Sequence, residues 1–162
     1  IACLHRGKLE HAVIVDPVRR EEFTASRGRG AQCNGRRMRV SKLESLDGAL
    51  LGTGIPFKNH CDGQLGPYTE SVRVLAGQCA GIRRAGAAAL DLAYVAAGRL
   101  DAFWEIGLAR WDMAAGALLI REAGGLVADI DASDNYLDSG NIVCGNPKCF
   151  KAVLQVVKPL LG

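Results

Sequence analysis

Apolar and polar positions alternate in short bursts near the start of the chain, and the bursts are separated by turn-forming pairs. Residues 2–4, 12–15 and 22–25 read as strands, with turns at Arg6-Gly7, Asp16-Pro17 and Asn34-Gly35. Asn-Gly favours a two-residue hairpin because both positions take positive φ. The apolar run 49–53 predicts a buried strand ending at Gly54-Ile55-Pro56, then a polar loop over 58–66 and a helix over 68–75. From there strands and helices alternate. Strands are expected at 81–84, 100–105, 126–129 and 142–144, and helices at 87–97, 112–123 and 147–160. Gly98 closes the first of these helices, Gly124-Gly125 suits a left-handed cap on the second, and Pro147 fits the first turn of the third. The helices at 87–97 and 112–123 are apolar on nearly every side, which places them between layers rather than on the surface. The pattern predicts a layered α/β (α+β) domain with a hairpin-rich opening and no internal linker.

Composition narrows the picture. With 162 residues, 49% of them hydrophobic and without a sustained short repeat, disordered, collagen-like and coiled-coil chains are excluded. The length suits one compact domain or a large piece of one. A net charge of +3 is too mild to imply nucleic acid, but it is unevenly spread: residues 101–140 carry eight acids against only Arg110 and Arg121. Arg27, Arg29, Arg36, Arg37 and Arg39 lie in a stretch with no acid and no aromatic side chain for base stacking. A solvated hairpin surface is therefore expected there, and nucleic-acid contact is disfavoured. The apolar stretch 85–98 is too short to span a membrane and is interrupted by Asp91. Six cysteines form no CxxC pair or Cys/His cluster, so buried reduced thiols in a cytoplasmic protein are expected. His5, His11 and His60 have no spacing for zinc.

Three features could carry chemistry. Asp112 stands directly before the apolar part of its helix, where it can cap the backbone N–H groups of the first turn or ligate a metal. Gly86-Ala87-Ala88-Ala89 opens the preceding helix, and small residues there let backbone N–H groups approach a phosphate or simply pack closely. Glu105 ends a strand after Phe103-Trp104; it could accept hydrogen bonds from substrate hydroxyls, be solvated, or pair with Arg110. Its aromatic neighbours read as core.

Taken together, these residues resemble the inositol monophosphatase family. The run from Trp111-Asp112-Met113-Ala114-Ala115-Gly116 to Glu122-Ala123-Gly124-Gly125 looks like that family's C-terminal signature. Arg84-Ala85-Gly86-Ala87-Ala88-Ala89-Leu90-Asp91 and Trp104-Glu105-Ile106-Gly107 are similar to its substrate-side segments, and Asp16-Pro17, Asn34-Gly35, Thr53-Gly54-Ile55-Pro56 and Gly145-Asn146-Pro147 follow in the family's order. The resemblance spans essentially the whole chain and is strongest to the bacterial SuhB-type branch. It implies a layered α-β-α-β-α sandwich of the sugar-phosphatase type, of which this chain supplies the C-terminal part. It also implies a Mg²⁺-dependent, lithium-sensitive phosphomonoesterase, usually a homodimer, acting on inositol phosphate or a similar phosphomonoester. Asp112 would be both a catalytic residue and a metal ligand, the backbone of Gly86, Ala87 and Ala88 would hold the phosphate, and Glu105 would meet the inositol hydroxyls. Ala87 stands where many members have Thr. Fructose-bisphosphatase-like and adenosine-bisphosphate-phosphatase-like specificities are the near rivals, and Glu105-Ile106-Gly107, seven residues before Asp112, favours inositol phosphates. The SuhB-type branch is associated with transcription and ribosomal RNA antitermination, which implies RNA polymerase or an elongation factor as an alternative partner.

The family's other signature, an Asp-Pro-Leu-Asp-Gly-Thr run with two metal-binding aspartates, does not occur in this sequence. Leu46-Asp47-Gly48-Ala49 is not that motif and reads as a turn. The chain opens at Ile1 directly in a predicted strand, so it is expected to begin partway through a domain. With Asp112 as the one family ligand present, the 162-residue chain alone is expected to be inactive.

Overall fold

A computed structural model of the chain describes residues 1–56 and 63–162. It contains two five-stranded sheets and five helices among those residues. The first sheet is an antiparallel meander in sequence order: β1 (Ala2–His5), β2 (Lys8–Asp16), β3 (Glu21–Ser26), β4 (Gly30–Cys33) and β5 (Arg36–Arg37). Asn34 and Gly35 both take positive φ, +49° and +74°, and make the expected tight turn between β4 and β5. Asp16 closes the β2–β3 connection, its Oδ1 accepting hydrogen bonds from the N–H groups of Val18 and Arg19, both at 3.1 Å.

The second sheet has the order β7-β6-β8-β10-β9, formed by β6 (Leu50–Thr53), β7 (Gly81–Arg83), β8 (Ala102–Glu105), β9 (Leu126–Ala128) and β10 (Ile142–Gly145). β6 runs parallel to both β7 and β8, whereas β10 is antiparallel to β8 and β9. The carboxyl ends of β6, β7 and β8 therefore emerge at the same edge, the usual place for a ligand in a parallel arrangement.

Side chains of the second sheet alternate between two cores, as strand geometry requires. Phe103, Ile142 and Cys144 join a core with the inner face of the first sheet and with α2 (Ala88–Ala96) and α3 (Arg110–Glu122). Leu51, Trp104 and Val143 face the other way, onto α1 (Leu65–Ala76) and α5 (Pro147–Leu161). A short helix, α4 (Tyr136–Ser139), adds Tyr136 to the first core. The described residues thus stack as sheet, helix pair, sheet, helix pair, which is the expected α/β layered fold with α2 and α3 in its middle. Phe103 and Trp104 are fully buried, as expected of core.

The differences from the sequence reading are local. Residues 58–62 of the expected loop lie outside the described residues, as do His60 and Cys61, and 65–66 belong to α1 instead. α1 starts early because Pro67 is tolerated in a first turn, where its missing N–H has no helical partner. The thiols are not uniformly buried: Cys144 and Cys149 are, Cys33 and Cys79 are half-buried, and Cys3 is exposed on its edge strand. Leu46–Ala49 forms the expected turn, with Ala49 N–H donating to the Leu46 carbonyl at 2.8 Å. All five arginines of the basic run are exposed. Among the described residues, no helix is long and apolar enough to cross a membrane.

Candidate active site

The start of α2 is built without a side-chain cap. Gly86 takes φ +91°, Ala87 is the capping position, and Ala87 has no side-chain oxygen to offer. The Ala87 carbonyl accepts from the N–H groups of Leu90 and Asp91 at 2.9 and 3.0 Å. The N–H groups of Ala88 and Ala89, in the first turn, have no helical acceptor and carry the positive end of the helix dipole.

The end of β8 supplies Glu105, which is buried at 6% exposure. Gly54, just past the end of β6, makes room for it: a Cβ on Gly54 would stand 1.8 Å from Glu105 Oε1. Parallel pairing of β6 with β8, Thr53 opposite Trp104, brings the two residues together. Thr53 secures this junction by donating to the Trp104 carbonyl at 2.8 Å, while the Tyr68 hydroxyl from α1 bonds Thr53 Oγ1 and the Gly54 carbonyl. Burial drives the Glu105 carboxyl up to about 7; the nearby Asp91 pushes the same way, Arg84 opposes, and Asp112 adds to the rise. Arg110 is not its partner. Arg110 pairs with Asp138 and donates to the Leu137 carbonyl, because the first turn of α3 faces α4 rather than the strand end.

Asp112 lies inside α3 rather than at its cap. The helix begins at Arg110, with Ala109 in extended conformation as the cap, and Asp112 reaches back so that its Oδ2 accepts from the Ala109 N–H at 3.0 Å. This is the acidic half of a capping box. One oxygen is thereby used locally, and the other remains available. Arg110 and the exposed Trp111 lie outside the buried apolar pattern, which hides the true start from an apolar-pattern reading. The chain between β8 and α3 is held by the neighbouring loop, with Leu108 N–H donating to the Gly140 carbonyl at 2.8 Å.

All five residues expected from the sequence, Gly86, Ala87, Ala88, Glu105 and Asp112, line one cavity of about 150 Å³. Arg84, Asp91 and Gly54 line it too, and were not foreseen as site residues. Asp91 is 3% exposed, and burial pushes its carboxyl up to about 6. The one sign of it in the sequence is an acid interrupting an apolar helix. Larger clefts lie away from this chemistry: one of about 670 Å³ beside Arg110, Arg121 and Asp134, and two of about 460 and 490 Å³ at the basic hairpin.

The cavity offers N–H donors, a guanidinium and three carboxyls. That set can hold a phosphate ester by its phosphate and its hydroxyls. It does not make up a Mg²⁺ site by itself, since the ion takes several oxygen ligands and no group of three His, Cys, Asp or Glu side chains is arranged for a metal among the described residues.

The inositol monophosphatase family model matches residues 1–159. A relative from Pseudomonas aeruginosa named Nus factor SuhB is 65% identical over 161 residues, covering 99% of this chain and 59% of the relative. An inositol-1-monophosphatase from Rhizobium meliloti is 48% identical over 158 residues, covering 98% and 59%. The crystal structure of extragenic suppressor protein suhB from Bartonella henselae superposes with a TM-score of 0.91 at 44% identity, covering 97% of this chain and 59% of that one. The chain therefore spans about three-fifths of the length of these proteins. With a match that runs from the first hairpin to the last helix, and with the same layered fold, the chain belongs to the inositol monophosphatase family.

Proposed function

We propose that this chain forms the phosphate cradle and hydroxyl-binding wall of a phosphomonoesterase that hydrolyses inositol monophosphate or a similar polyol phosphate. The observation that carries this reading is the convergence of the uncapped start of α2, Glu105 and Asp112 on one cavity. The phosphate would lie against the N–H groups following Gly86, where the helix dipole favours an anion. Glu105 would accept hydrogen bonds from ring hydroxyls, and Asp112 would contribute one ligand to a Mg²⁺ site whose other ligands are not among the residues described. Family membership supports the reaction class, and the inositol-1-monophosphatase at 48% identity supports the substrate. The test is phosphate release from inositol 1-phosphate, fructose 1,6-bisphosphate and adenosine 3′,5′-bisphosphate by the natural full-length protein with Mg²⁺. Preference for inositol 1-phosphate and its loss in Asp112→Asn are expected; turnover undiminished by that substitution would overturn the assignment.

A second reading is favoured by the name of the relative at 65% identity: a homodimeric, cytoplasmic partner of RNA polymerase or an elongation factor. A cellular role that survives Asp112→Asn in a normally folded protein would support this reading over the enzymatic one.

A further inference from the structure

We propose that Asp91 is a second substrate-facing carboxyl and a specificity-determining residue, which with Glu105 recognises a pair of neighbouring hydroxyls next to the phosphate ester. The inference rests on the phosphatase reading and names the substrate class more narrowly: phosphate esters with a free hydroxyl on the carbon adjoining the ester carbon.

Asp91 lies in the first turn of α2, the same turn whose N–H groups form the anion cradle. It is 3% exposed, and its carboxyl makes no hydrogen bond or ion pair with any described residue. No sealed, unpaired side-chain oxygen exists among the described residues, so the Asp91 oxygens open onto the cavity they line. Glu105 faces the same cavity from β8, its carboxyl equally without a hydrogen-bonding partner, and the Asp91 carboxyl makes ionisation of Glu105 harder. Arg84 lines the cavity too and favours ionisation of Glu105 by its positive charge, while Asp112 opposes it from α3.

Packing does not require an acid here. The neighbouring Leu92 makes the close contact with α3, where a Cβ on Gly116 would stand 2.4 Å from Leu92 Cβ. Two buried carboxyls without donors are costly unless a ligand brings donors. A diol does so: each hydroxyl donates to one carboxyl. Because Asp91 shares its turn with the phosphate cradle, the hydroxyl it can reach is the one beside the ester.

The experiment compares kcat/KM for inositol 1-phosphate with that for 4-nitrophenyl phosphate, which has no hydroxyl, in the natural full-length protein, Asp91→Ala and Asp91→Asn. A fall of at least tenfold in the ratio of the two for Asp91→Ala is expected, with partial recovery in Asp91→Asn, whose amide oxygen still accepts. The second substrate reports folding of each variant. An unchanged ratio, whether both activities fall together or neither moves, would overturn the inference and leave the phosphatase reading intact. Wild-type protein that hydrolyses neither ester would overturn both.

Discussion

At Gly54 a hydrogen stands where any other residue would place a carbon inside the Glu105 carboxylate. Gly54→Ala must push that carboxylate off its position, with β6 and β8 fixed by the Thr53 and Tyr68 bonds. Overpacking of this kind costs about 1–3 kcal/mol, read as a lowered urea midpoint, and turnover of inositol 1-phosphate should fall at least tenfold. Glu105 also gives the protein a pH signature. Its carboxyl rises from 4.5 to about 7 on folding, so the folded state holds a proton that the unfolded chain releases. The stability from this group is full below the unfolded value and is lost as pH rises through the folded one. Urea titrations of wild type and Glu105→Gln at pH 5 and pH 8, without metal, should show the wild type losing about 2 kcal/mol relative to the variant at the higher pH. At this scale the sequence reading went furthest. Gly86, Ala87, Ala88, Glu105 and Asp112, singled out by motif and resemblance, all line the one cavity. Gly54, Arg84 and Asp91 were not singled out, because their relevance depends on which strand ends meet, and an acid inside an apolar helix looks the same whether it faces solvent or a cavity.

Elements place those residues. α2 and α3 cross where Gly116 meets Leu92, and that closeness sets the first turns of both helices on one cavity. Gly116→Ala should therefore act on both stability and activity. The added carbon would stand 2.4 Å from Leu92 Cβ, so the helices must separate at a cost of about 1–3 kcal/mol, measurable by chemical denaturation, with turnover reduced more than helix content. Both helices were foreseen from their all-round apolar character, and the end of α3 from its glycines: Gly124 takes φ +87°, and Gly125 N–H donates to the Ile120 carbonyl at 2.9 Å. The start of α3 was misplaced because its first two residues, Arg110 and the exposed Trp111, take no part in the buried apolar face. β4, β5 and α4 were not foreseen as elements either. The β4 and β5 strands are short and lack an apolar alternation, and the four residues of α4 give no periodicity to read.

Across the described residues, the proposed site residues share one wall of a layered scaffold. Within the described residues Asp112 is the one carboxylate proposed as a metal ligand, and one of its oxygens is already bonded to the Ala109 N–H. The 162-residue polypeptide expressed alone should accordingly release no phosphate from inositol 1-phosphate with Mg²⁺, as checked by a phosphate assay on material of confirmed mass. The parallel pairing of β6 with β8 has a consequence in time as well as in space. Leu51 lies opposite Ala102, and all of α1, β7 and α2 must be threaded between them, whereas each strand of the first sheet pairs with its immediate neighbour in sequence. Distant pairings close late. Refolding should therefore build the hairpin sheet first and the Glu105 seat last, so that burial of Trp104, followed by its fluorescence, marks the moment at which the cavity comes into existence.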